Sequence, residues 1–407
     1  MKNHLNRRHF IQRLALLGGV SMVLPFGCKE SIPNDIRISR IVQFTFKGKR
    51  PKFVGKNSRL DDHTEFGRDR GILVFTDNGL VGIGTYRGDR NSMQAFLGKS
   101  LLDWYNEAEK KFVLGEDNRG TMAFWDVLGQ HYKKPLWQLL GTSKREKVPL
   151  YDGTIYFQDL LPQFADNYMD QFKKEFDMGV AAGHNFFKMK VGRGAKWMEA
   201  AAGYQRDLEI LAACREYIGP DIKIGVDANN GMNLESTKQM LKDLPNFDFE
   251  FIEEMFPEEV ALDLELKNFI KENGWDTLIA DFESQKEVDV FLPFMEARCI
   301  DVMQGDMNQF GIEGIMAEAA IGQPYGATVA PHNWGSLLGY YCLLHLGKVI
   351  ENWYMAEQDA LSLASITPIG FEVKDGLTTV TEAPGLGLKV DVEAFMKEAE
   401  IVEDLKA

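Results

Sequence analysis

Cysteine is scarce in this chain, four in 407 residues, which is too few to staple a fold of this length with a disulfide framework. Cys214, Cys299 and Cys342 sit in apolar surroundings, where burial as small hydrophobic filler is the expectation. Positive charge is also in short supply, 46 Lys and Arg against 60 Asp and Glu, and this argues against a nucleic-acid partner. Apolar residues make up an ordinary 45%, so disorder is not expected. The length accommodates one large barrel and a smaller companion domain.

The apolar run from Leu14 to Gly27 is too short to span a bilayer as a finished helix. It follows Arg7-Arg8-His9-Phe10, and together they read as an export signal. The arginine pair followed by Phe10 is similar to a twin-arginine signal, which implies export of an already folded protein. The ending Leu24-Pro25-Phe26-Gly27-Cys28 resembles a loose lipoprotein cleavage box, which would put a lipid anchor on Cys28. Residues 1–27 hold four basic and no acidic side chains, so their removal moves the formal charge from -14 to -18. The expected location is outside the cytoplasm, in the periplasm or as an outer-membrane lipoprotein.

After residues 1–35, taken as signal and linker, residues 36–90 alternate like strands, and Asp77-Asn78-Gly79 marks a hairpin between "GILVFT" and "LVGIGTY". Helical spacing follows from about Met93 to Leu140, so 36–145 reads as an α+β domain. The rhythm then changes. Short apolar runs alternate with stretches of helical period: "VPLYDG", "FFKMKV", "IKIGVD", "FEFIEE", "TLIADF", "CIDVMQ", "ATVAPH" and "NWYMAE". Eight such units over 146–365 predict a parallel (β/α)8-type, TIM-like barrel.

Each strand run ends in polar chemistry: Lys188 and Lys190, Asp227 and Asn229, Glu253, Asp281 and Glu283, Asp306, His332, Glu357. The C-terminal strand ends of such a barrel form its active-site rim, so these residues are expected to converge. A lone acid after a strand is usually a helix cap, but a polar group at the end of one unit after another is not explained by caps. Lys188 and Lys190 are two apart on a strand and share a face. His332 is the one histidine of seven that ends a strand run, and Asp306 ends the run before it. A carboxylate on one ring nitrogen would set the tautomer and raise the basicity of the other. Thr154 and Tyr156, at the end of the first run, are further candidates for substrate contact.

Taken in order, "FFKMKVG", "VDANNG", "FIEE", "IADFE", "MQGDMNQFG", "VAPHNWGS" and "MAE" resemble the mandelate racemase pattern of the enolase superfamily. "AFWDVLGQHYKKPLWQLLG" (123–141) is similar to the helix that closes the family's N-terminal capping domain. "PGLGLKVD" (384–391) is similar to the tail that returns to that domain, so 366–407 is expected to complete the cap. The resemblance implies a Mg²⁺ held by Asp227, Glu253 and Glu283. Phe282 stands where the family commonly has Gly, which leaves Asp281 open beside Glu283 as the third ligand. It also implies Lys190 as an acid/base on one face of the substrate and His332, backed by Asp306, on the other. Lys188 would touch the substrate carboxylate and lower the pKa of Lys190, Asn229 would contact substrate, and Glu357 would donate a hydrogen bond if burial keeps it protonated. Asp306 stands where the muconate-cycloisomerase branch would carry a lysine.

Proton removal beside a carboxylate concentrates negative charge on one side of the intermediate, and a fixed divalent cation offsets that charge. Lysine or histidine bases with magnesium are the standing example of this chemistry. The expected reaction is dehydration of a sugar acid to a 2-keto-3-deoxy acid. Racemisation or epimerisation is the alternative, and a non-catalytic sugar-acid-binding lipoprotein is a third, which would lack a ligand or a base; none is missing. The segment 47–70, "KGKRPKFVGKNSRLDDHTEFGRDR", is long and basic and reads as a lid over an anion. A homo-oligomer is expected.

Overall fold

The alternation in residues 36–90 becomes an antiparallel sheet of four strands in the order Glu400–Lys406, Ile38–Val54, Thr64–Thr76, Val81–Thr85. The structure is a computed structural model that describes residues 35–114 and 120–407. Arg7, Arg8 and Cys28 lie outside the described residues. The tight turn after Thr76 uses Gly79 at φ 86, a conformation that favours glycine. The segment 47–70 is not a loop for most of its length. Lys47 pairs with Arg68, Lys49 with Phe66 and Val54 with Thr64, so it is the outer half of a long β-hairpin with its tip at 55–63. Gly48 and Gly67 face each other in this ladder, and a Cβ on Gly67 would meet Leu361 Cδ1 at 2.7 Å. Small residues therefore let the hairpin press onto the barrel.

The helical stretch expected from Met93 to Leu140 is broken into three α-helices among the described residues. A helix spans Arg90–Phe96, and two more span Met122–Tyr132 and Leu136–Leu140. Gly98 at φ 72 turns the chain away after the first, and Lys133 at φ 54 followed by Pro135 separates the last two. Buried Asp126 ties this region together. Its carboxylate accepts from Ile83 N (3.0 Å) in the sheet and from Leu386 N (2.8 Å) in the returning C-terminal tail. Gly385, at φ 67, lies where a Cβ would meet Asp126 Oδ1 at 2.0 Å. Gly385→Ala should therefore cost about 2–4 kcal/mol, from positive φ and overpacking together. Chemical denaturation measures it, and an unchanged midpoint would show that the tail is not anchored here.

The barrel strands are Lys147–Ile155, Phe186–Lys190, Lys223–Asp227, Phe249–Glu253, Leu278–Asp281, Val302–Met303, Thr328–Val329 and Ala356–Gln358. Each pairs in parallel with its neighbour, the last pairs with the first, and a parallel bridge from Val329 to Trp353 closes the ring. Alternation decides which way each side chain faces. Phe186 points inward with Tyr151, Phe251, Ala280, Val302 and Ala330 to plug the barrel, while Phe187 and Met189 point outward into the layer packed by helices. Lys188 and Lys190 share the inward face of Phe186 and stand above the plug. All three described cysteines, Cys214, Cys299 and Cys342, are buried and unpaired. Among the described residues no helix is long and apolar enough to cross a membrane.

Candidate active site

Three strand ends bring Asp227, Glu253 and Glu283 together, each offering a carboxylate oxygen within 4.8 Å of the others. Their surroundings fix them. Asp227 Oδ1 accepts from Asn229 N (2.7 Å), Glu253 Oε2 from Gln304 Nε2 (2.8 Å) and Glu283 Oε1 from Asn229 Nδ2 (3.2 Å). Asn229 thus braces two of the carboxylates, through its backbone N–H and its side-chain amide. It can do so because Asn229 and Asn230 adopt φ of 42 and 59, which asparagine tolerates better than most residues.

The choice between Asp281 and Glu283 turns on Phe282. Its φ is 97 and its buried ring stacks on Phe291 at 4.4 Å. The positive φ reverses the backbone, so that Glu283 enters the mouth while Asp281 faces Glu254 and Glu258 in a separate acidic group. There, burial first and then the charges of Glu258 and Glu254 raise the Asp281 carboxyl well above its usual range.

Lys188 and Lys190 reach the same carboxylates. Lys188 Nζ lies 2.6 Å from Glu253 Oε1, 2.9 Å from Glu357 Oε1 and 3.4 Å from Asp227 Oδ2. Lys190 Nζ donates to Asp227 Oδ2. Burial alone would lower both amines, but the carboxylates outweigh it and hold both above the ordinary lysine range. Lys188 does push Lys190 downward, as read from the sequence, yet less than Asp227 pulls it up.

His332 occupies another edge of the cluster. Its Nδ1 is 2.8 Å from Asp306 Oδ2, and its Nε2 is 3.3 Å from Glu283 Oε2 and 3.9 Å from Glu357 Oε2. Burial opposes its charge, but Glu283, Glu357 and Asp306 together push its pKa up to about 10. Asp306 also caps the helix Met307–Gly322 through Gln309 N at 2.8 Å, so the cap reading and the dyad reading hold for the same side chain. Glu357 departs from expectation. Burial raises its pKa, but Lys188 and His332 lower it further, and Oε2 already accepts from Asn333 N at 2.8 Å. The ionised form is favoured, against the protonated donor that the sequence suggested.

Tyr156 belongs to the site: its ring lies 4.9 Å from Lys190 Nζ and stacks on Trp334 at 4.8 Å. Thr154 does not. Its hydroxyl donates to Asp152, and it lines a cavity of about 220 Å³ with Lys52, Glu175 and His184. The strand pairing shifts between Asp152 and Ile155, which turns Thr154 away from the mouth. Gln304 and His63 were missed. Gln304 gave a signal, a polar residue at the end of "CIDVMQ". His63 lies in the 47–70 segment read as a lid, but it was not singled out there because it comes from the hairpin tip and not from a barrel strand.

Three oxygen donors suit a hard cation such as Mg²⁺. Glu283 Oε2 accepts no hydrogen bond from the described residues and keeps lone pairs free for one. Residues 171–394, more than half of the chain, match the family model described as "Enolase C-terminal domain-like". The chain belongs to this family, in the mandelate racemase-like part of the enolase superfamily. It is 29% identical over 273 residues to arabinonate dehydratase of Saccharolobus solfataricus, covering 66% of this chain and 68% of that one. Galacturonate dehydratase from Geobacillus sp., solved with D-galacturonate and 5-keto-4-deoxy-D-galacturonate, superposes with a TM-score of 0.81 at 29% identity, over 89% of this chain and 96% of that one. A mandelate racemase/muconate lactonizing protein from Geobacillus sp. Y412MC10, solved with magnesium and tartrate, gives 0.81 at 28% identity, over 89% and 95%.

Proposed function

We propose that the protein is a magnesium-dependent enzyme that removes the proton next to the carboxylate of a sugar acid and expels the neighbouring β-hydroxyl, giving a 2-keto-3-deoxy acid. The observation that carries this reading is the meeting of two proton carriers with one carboxylate cluster: Lys190 on Asp227, and His332, backed by Asp306, on Glu283. Asp227, Glu253 and Glu283 would hold Mg²⁺, which when bound offsets negative charge on the substrate carboxylate and draws charge from Asp227. With the pull of Asp227 weakened, the ammonium of Lys188 is left to depress Lys190 toward a usable base. Lys190 then accepts the α-proton. The electron pair left behind forms the enediolate, the β-carbon–oxygen bond breaks, and the hydroxyl leaves as water with a proton from Nε2 of His332. Tautomerisation of the enol gives the keto acid.

Similarity to two sugar-acid dehydratases, each at 29% identity, supports the reaction class. Screening aldonic, aldaric and uronic acids with Mg²⁺ for 2-keto product tests it. An epimer in place of a keto acid would assign the isomerase reading, and an absence of both would reject the proposal.

Asp306→Asn should keep the helix cap, since Asn caps as well as Asp, while leaving the imidazole in the wrong tautomer. We expect kcat to fall about 10²–10⁴-fold with little change in melting temperature. A large loss of stability with full activity would contradict the dyad.

Export is part of the proposal. The supporting feature is Arg7-Arg8 before a short apolar run, and a lipid anchor on Cys28 belongs to the same reading. Arg7→Lys with Arg8→Lys should leave the protein in the cytoplasmic fraction, and unchanged export would exclude the twin-arginine route. Mass measurement of Cys28 decides lipidation.

A further inference from the structure

On the outside of the barrel, the first strand, Lys147–Ile155, and the helix Tyr168–Ala181 contribute the walls of the cavity of about 220 Å³ that Thr154 lines. Alternation along the strand separates this cavity from the mouth. Gly153 faces the mouth, where a Cβ on it would meet Glu357 Oε1 at 2.5 Å, while Asp152 and Thr154 on either side of it line the cavity. Among the described residues, none of the three metal-site carboxylates, nor Lys188, Lys190 or His332, borders it. Its wall reaches the surface at Ala182, an exposed residue just past the end of the helix.

The charges around the cavity do not cancel. Arg50 is paired with Asp359 (2.6 Å) and Lys52 with Glu175 (2.7 Å). Asp152, only 9% exposed, forms no ion pair among the described residues. Its Oδ1 accepts from the backbone N–H (2.8 Å) and the hydroxyl of Thr154, and its Oδ2 accepts no hydrogen bond from the described residues. Oδ2 is turned toward the helix, since a Cβ on Gly179 in the cavity wall would lie 3.2 Å from it. His184, 5% exposed, lines the same cavity, and its Nδ1 is shielded from solvent and without a partner. Burial lowers the pKa of His184 more than the charge of Asp152 raises it, so the ring is neutral and does not balance Asp152. A buried carboxylate with no cation beside it is costly, and unfilled buried polar atoms are rare.

We infer that this cavity is a second binding site, apart from the mouth, for a small organic cation: its ammonium donates to Asp152 Oδ2, and its apolar body lies against Met178, Ala182 and Val373. The size agrees, since an apolar cavity of about 150 Å³ admits benzene. The two existing ion pairs leave the unpaired carboxylate as the one charge to be met, which selects a cation over a neutral molecule and excludes an anion of the same shape.

The test uses the full chain and three probes with one body and three charges at neutral pH: benzylamine, benzyl alcohol and benzoate, with binding read by calorimetry. Benzylamine should bind one to one, benzyl alcohol about 10–100-fold more weakly, as a lost hydrogen bond to a charged group implies, and benzoate not at all. Saturating Mg²⁺ should leave benzylamine binding unchanged, because the metal occupies the mouth. Asp152→Asn keeps an oxygen for Thr154 and removes the charge, so it should bring benzylamine down to the affinity of benzyl alcohol. Ala182→Phe puts a ring into the opening from an exposed position and should abolish binding of both; if Asp152→Asn does not fold, this variant decides. Unchanged benzylamine affinity in either folded variant, benzoate bound as tightly as benzylamine, displacement of benzylamine by Mg²⁺, or no binding at millimolar benzylamine each overturns the inference.

Discussion

His332→Asn is expected to abolish dehydration, with kcat lower by at least about 10³-fold, while exchange of the substrate α-proton with solvent deuterium continues through Lys190. The two carriers meet different carboxylates of the cluster: Lys190 bonds Asp227, and His332 Nε2 faces Glu283 at 3.3 Å. Each should therefore control exchange on one face only. Asp306 at Nδ1 orients the His332 ring and raises the basicity of Nε2, so that His332 can carry the proton that a leaving hydroxyl requires. Without it the carbanionic intermediate can only return to substrate, which incorporates deuterium and yields no keto acid. Lys190→Ala should show the converse, losing exchange from its own face. The measurement is proton NMR of each sugar acid in D₂O with each variant. Full turnover by both variants, or loss of all exchange in His332→Asn, would reject the two-carrier mechanism.

The second large effect separates two neighbours. Glu283→Gln should remove a metal ligand and lower turnover by about 10³-fold or more, since metal stabilisation of the developing charge is worth several kcal/mol. Asp281→Asn should leave turnover within a few-fold of wild type, because Asp281 faces Glu254 and Glu258 and burial there favours its neutral form. Neutral Asn imposes no new charge on that site. Magnesium titration by calorimetry, before and after chelator treatment, reads the result directly. Should Asp281→Asn abolish magnesium binding and Glu283→Gln preserve it, the ligand assignment is reversed.

The contrast between these neighbours shows where reading the sequence stops. The period of two along strands and the regular spacing of apolar runs determined the barrel, because a parallel strand buried on both faces needs a continuous apolar run and a crossover helix. The same regularity located the rim, so Lys188, Lys190, Asp227, Glu253 and His332 were legible from position alone. Their neighbours were not. Asp281 and Glu283 are both acids at one strand end, and only the φ of 97 at Phe282 decides which enters the mouth. Thr154 ends the first strand run like any rim residue, but a shift in pairing turns it outward. Asn229 reads as a substrate contact, and its further part as a brace on Glu283 comes only from two successive left-handed residues that set the backbone there.

Protonation lay further out of reach. Glu357 could be an acid or a carboxylate from sequence, and the ammonium of Lys188 at 2.9 Å decides for the carboxylate. His63 lies 269 positions from His332 in the chain, on a hairpin whose register carries no barrel period. What the sequence determined by itself was therefore set by local period, which each strand and helix expresses within its own few residues. What only the tertiary structure decided, namely the third carboxylate, the state of Glu357 and the arrival of His63, depends on backbone reversals and on charges brought close by chain closure. Such effects act between residues far apart in the chain, and no local pattern encodes them.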